Sequence, residues 1–128
     1  MLTLQDPREA YRRVDFDARI SSAGPEQLVA LCLAQLVTAL GSALGAHQRV
    51  DNAAKSQALT RALSALTALQ LGISSQAGVG RALAHLYEAA RRTILDNVVK
   101  FDPPAVSTVR DDFRDIAAAL ATAKKVAD

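Results

Sequence analysis

QLVALCLAQLVTALGSALGA, residues Gln27 to Ala46, runs for twenty residues without a charge. Gly24-Pro25-Glu26 precedes it and His47-Gln48-Arg49 follows it. A proline at the first helical position and a body of leucine and alanine mark one continuous helix. Its apolar residues do not stay on one side. At helical spacing Leu28, Cys32, Leu36 and Leu40 form one row, and Val29, Leu33, Val37 and Leu44 form a second. One neighbouring helix cannot cover both. Such a segment crosses a membrane, fills the middle of a bundle, or keeps a face for a partner.

Length alone permits the membrane. Twenty helical residues span about 30 Å, and Gly41-Ser42-Ala43-Leu44-Gly45 has the small-residue spacing of paired membrane helices. Composition argues the other way. Gln35 falls near the midpoint, Thr38 and Ser42 follow it, and five of the twenty residues are alanine. The remaining long segments each carry a half-apolar face that needs a partner in water. The uncharged helix is what they would pack around, so no membrane insertion is expected.

Outward from it, the chain divides into further helices. Asp6-Pro7 opens a short first helix with a narrow apolar edge at Tyr11, Val14 and Ala18, before Ser21-Ser22-Ala23-Gly24-Pro25 breaks it. A helix starting near Asp51 shows Leu59, Leu63, Leu66 and Leu69 on one side and ends at Gly72. The next carries the stripe Val79, Leu83, Leu86/Tyr87, Ala90, Ile94, Val98 and Phe101. Asp102-Pro103-Pro104 closes it and caps a last helix, in which Val106, Val109, Phe113, Ile116 and Leu120 step by three and four. Short connections between long helices favour antiparallel neighbours. The expected fold is all-α, an antiparallel up-down four-helix bundle over residues 24–128, with an additional short N-terminal helix within residues 1–23.

Bulk composition agrees with a single helical domain. The chain has 128 residues, half of them hydrophobic, but only 4% aromatic and no tryptophan. Its core is therefore aliphatic. Eleven of the fifteen basic residues are arginine, but they are scattered and the net charge is only +2. That pattern argues against nucleic-acid binding. The lone Cys32 lies in the apolar run and reads as a small buried hydrophobe of a reducing compartment. The N-terminus, MLTLQDPREAYRR, shows no basic start followed by an apolar stretch, so no signal peptide is expected and the location reads as cytoplasmic.

Catalytic chemistry finds little to stand on. A di-metal bundle needs Glu-x-x-His pairs on facing helices, and the nearest approach here is His85 with Glu88 in reversed order. No Ser/His/Asp set, Cys-His pair or phosphate loop emerges, so neither an enzyme nor a metal or other cofactor is expected. A histidine phosphotransfer-type signalling module, with His85 as acceptor, is the alternative from another class. Arg91-Arg92 reads as part of a solvated face within reach of Glu88 and Asp96. The apolar surplus is the strongest functional signal: a half-exposed row offers a groove to another protein's amphipathic helix.

Taken in order, Tyr11, Pro25-Glu26-Gln27-Leu28-Val29, Leu83, Leu86-Tyr87, Arg92, Asp102, Val106, Val109 and Phe113 resemble the flagellar secretion chaperone family FliS. The resemblance runs over nearly the whole chain. It implies a helical bundle that binds the disordered C-terminal segment of flagellin, prevents premature polymerisation, and assists delivery to the flagellar type III export apparatus. It also implies that the N-terminal segment covers the groove, with Tyr11 as a displaceable plug. Leu33, Val37, Leu86, Tyr87 and Ile94 are then the groove residues, with Leu69 and Leu83 nearby. The chain departs from the family pattern in three places. Cys32-Leu33-Ala34-Gln35 replaces the usual Leu-Tyr-Asp-Gly, Ala89 stands where a second tyrosine is common, and no tryptophan lies near Leu120. A shallower, more aliphatic groove follows from these changes.

Overall fold

The computed structural model describes residues 24–72 and 79–127, with four helices and no strand among them. They are α1 (Pro25–Gln48), α2 (Asn52–Gly72), α3 (Val79–Val99) and α4 (Pro103–Ala127). The fold of the described residues is all-α. The expected short helix at Asp6-Pro7, and Tyr11 with it, lie outside the described residues.

Local chemistry sets the ends. Gly24 caps α1 with extended backbone, its carbonyl accepting from the Leu28 N–H at 2.9 Å, while Glu26 lies in the first turn beside the helix dipole's positive end. At the other end the Asp51 N–H donates to the Ala46 carbonyl at 2.9 Å, and the Val50 N–H to that of His47 at 3.1 Å. This is a Schellman turn, but with valine in the left-handed position (φ 57°) where glycine is usual. Asp51 then caps α2, its Oδ1 accepting from the Ala54 N–H at 3.1 Å. Between α3 and α4 the buried Asn97 donates to the Thr93 carbonyl at 2.8 Å and accepts from the Asp102 N–H. That side chain fixes the turn from which Pro103-Pro104 opens α4.

α1 is the central element of the packing. It lies along α2 most extensively and along α4 next, and α3 closes the ring against α2 and, most thinly, against α4. Cys32, Leu36 and Leu40 are buried, with Leu33 beside them. Close approach to α2 comes from small residues on both helices: Ala39, Ala43 and Ala46 on α1, and Ala58, Ala62 and Ala65 on α2, are all buried. Gly41 and Gly45 do not supply it. A Cβ on either would first meet an arginine side chain, Arg110 or Arg49, and no backbone. At one end of the bundle His47 stacks on Phe101 with centroids 4.5 Å apart. Lys55 Nζ reaches His47 Nδ1 at 3.3 Å and lies 5.0 Å from the Phe101 centroid, so the basic side chain covers the ring pair.

Among the described residues α1 is the one helix long and apolar enough to cross a membrane, with mean hydropathy 2.0 over the most apolar 18 residues within Glu26–Gln48. Its first row is spent on the core of the helical bundle from Cys32 to Leu40, with Leu28 half-buried at its start. The second row is not fully spent. Leu33 is buried, whereas Val29, Val37 and Leu44 are only half-buried.

Two stripes depart from their expected course. On α3 the buried positions are Tyr87, Ala90, Ile94 and Asn97, while Val98 is 52% exposed. A helix advances 3.6 residues per turn, and the turn-forming amide claims the inner position. On α4 burial ends with Phe113; Ile116 is half-buried and Leu120 exposed.

Candidate functional site

α3 is held unequally by its two neighbours. Toward α2, Arg91 Nε donates to Gln70 Oε1 at 2.8 Å and the same guanidinium bonds Thr67 Oγ1, while Gln70 Nε2 donates to Glu88 at 3.4 Å. Arg91 thus reaches across to α2, and the expected pairing with Glu88 and Asp96 along its own helix gives way to this one. Toward α4 the contact is thinnest, and it includes an aromatic pair. Tyr87 stacks on Phe113, with centroids 5.9 Å apart and rings 16° from parallel.

Above that aromatic pair the two helices leave a cleft of about 330 Å³. Leu86, Ala89, Ala90 and Thr93 form the α3 wall; Ala105, Thr108, Val109 and Asp112 form the α4 wall, with Phe113 beneath. The cleft exists because its walls are lined with small residues where larger ones would close it. Its polar groups are few. The Thr93 hydroxyl donates to the Ala89 carbonyl at 3.1 Å, and the Thr108 hydroxyl to that of Pro104 at 3.0 Å. Asp112 has no hydrogen bond or ion pair among the described residues. Its neighbour Asp111 is instead held by Arg110 at 3.1 Å and Arg114 at 3.7 Å.

The residues expected in a groove divide into two sets by burial. Leu33, Leu69, Tyr87 and Ile94 are buried core residues. Val37, Leu83 and Leu86 are half-buried and pack against the core from its rim. Of these, Leu86 lines the cleft. Ala105, Thr108 and Asp112 of the α4 wall form no apolar stripe of their own and lie in the row beside Val109 and Phe113. The available signal was their helical register with Val109 and Phe113, opposite Ala89.

Burial shapes the chemistry of the core. It raises the Tyr87 hydroxyl above its ordinary value, and negative charge on Cys32 would raise it further. Burial raises the Cys32 thiol as well. Both groups stay neutral and behave as core. His85 is exposed, and Glu88, one turn on, is turned to Gln70. Among the described residues no three of His, Cys, Asp and Glu come together as a metal would require. What the surface offers is an apolar recess with one uncommitted carboxylate, suited to binding a side chain of another molecule.

The family model described as "Flagellar protein FliS" matches residues 7–127. The chain is also similar to the flagellar secretion chaperone FliS of Vibrio cholerae serotype O1. The two are 26% identical over 113 residues, which cover 87% of this chain and 83% of that protein.

Proposed function

The chain belongs to the FliS family of flagellar proteins, and from that premise we propose that it is a non-enzymatic flagellar secretion chaperone for flagellin. In this reading it works in the cytoplasm. It binds the disordered C-terminal segment of newly made flagellin, keeps the subunit from polymerising, and assists its delivery to the type III export apparatus. The fold behind it is an antiparallel up-down bundle, which the ring of neighbours α1–α2–α3–α4–α1 supports.

The observation that carries the reading is apolar surface left over after the core is built. Val29, Val37 and Leu44 on α1, and Leu83 and Leu86 on α3, pack against the core and are only half-buried. A segment that gains helix on binding would cover such rows with anchors three and four residues apart. Each leucine-sized anchor fully buried contributes about 1.5–3 kcal/mol, enough for a few to outweigh the cost of ordering the segment. Tyr11 belongs to the same proposal as a competitor of the cargo, and Tyr11→Ala then raises cargo affinity.

The test is functional. Purified flagellin under polymerising conditions stays monomeric when an equimolar amount of this protein is present. Filament growth at an undiminished rate would contradict the reading.

A further inference from the structure

We propose that the α3/α4 cleft is a specificity pocket for the cargo, receiving an apolar side chain flanked one turn away by a lysine or arginine that pairs with Asp112. The inference rests on the chaperone reading and deepens it by stating which side-chain pattern the bound segment must carry.

Three observations lead to it. The cleft is ready-made: about 330 Å³ between Ala89 on one helix and Ala105 on the other, with Val109 and Phe113 below. That is the small end of ligand-sized recesses, and its floor is apolar. Second, the two threonines on its walls spend their hydroxyl protons on carbonyls of their own helices. They offer the occupant little directional recognition. Third, Asp112 lines the cleft and has no partner among the described residues, whereas the adjacent Asp111 is flanked by two arginines. The charge left for a visitor to answer is therefore negative.

An occupant that matches these features is a helix presenting an aliphatic or aromatic anchor and, three or four residues away, a cation. The apolar anchor supplies affinity. The ion pair, at the rim of a surface from which the anchor excludes water, supplies register and choice of partner. A segment with the same anchor but an acidic residue beside it places two carboxylates together and is rejected.

The experiment titrates monomeric flagellin into the full chain and two variants, Ala89→Phe and Asp112→Lys. Both positions are exposed, so folding is untouched, and unchanged melting temperatures check this. Ala89→Phe fills the cleft and is expected to weaken binding about tenfold or more. Asp112→Lys is expected to weaken it about fivefold at low salt, with the difference shrinking as salt is raised. Reversing the basic residues of flagellin's C-terminal segment to glutamate, one at a time, then identifies the partner: one reversal restores Asp112→Lys to within about twofold of the native pair. If the native chain binds flagellin but both variants bind it equally well, or if no reversal restores binding, the pocket assignment is wrong and the chaperone reading stands. If the native chain does not bind flagellin, both fall.

Discussion

Val50 occupies a conformation that a β-branched residue rarely adopts, at φ 57° with 80% of its surface exposed. Its side chain gains little from packing, while its backbone carries the cost of the left-handed turn that ends α1. Val50→Gly removes that cost and is expected to raise stability by about 1 kcal/mol, measured by chemical denaturation. Cys32 and Tyr87 make the opposite kind of statement. Both have folded-state values raised by burial, so the folded protein holds their protons longer than the unfolded chain does. Their contribution is fully present at neutral pH. It begins to fall as pH rises past the ordinary thiol value of 9.0 and falls further past the phenol value of 10.0. A melting series is expected to show alkaline destabilisation, and Cys32→Ala is expected to remove its first part. A midpoint independent of pH from 8 to 11 would contradict the burial argument.

The uncharged stretch became a helix whose two rows have different fates, and mutation can tell them apart. Leu33→Ala empties a fully buried position and is expected to cost about 2–5 kcal/mol of stability. Val37→Ala, on the half-exposed part of the same row, is expected to cost about 1 kcal/mol or less while weakening cargo binding. Gly41 is a plain weakness of this helix. Nothing lies closer than 4.0 Å to a Cβ built there, so Gly41→Ala is expected to add about 0.5–1 kcal/mol. The limits of the four helices were legible from Pro25, Asp51, Gly72 and Asp102-Pro103-Pro104, since caps and breakers act locally. The inner face of α3 was only half legible. Periodicity predicts an apolar residue at Val98, but Asn97 is buried because its amide holds the turn to α4. The partners of Arg91, Gln70 and Thr67, sit on another helix, beyond the reach of spacing along α3.

At the scale of the molecule, helical class and family were open to sequence reading because both are spread over many positions. The cleft was not. It is defined by the small side chains of Ala89 and Ala105, and a gap between helices leaves no periodic trace in either one. Spacing likewise cannot separate core from groove: Tyr87 and Ile94 are buried, whereas Leu83 and Leu86 on the same helix are half-buried. The packing also sets an order of strength. α1 and α2 are joined along an alanine-rich seam, whereas α3 is joined to α4 most thinly and is tied to α2 by the Arg91 network. Arg91→Ala is therefore expected to lower stability by about 1 kcal/mol, with hydrogen exchange rising in α3 before α1.

The central claim is that this bundle exists to hold flagellin by its C-terminal segment. Its most direct test mixes the purified chain with flagellin and with flagellin lacking that segment, and measures complex formation by calorimetry. The account predicts a one-to-one complex with the intact protein and none with the truncated one. Equal binding to both would contradict it.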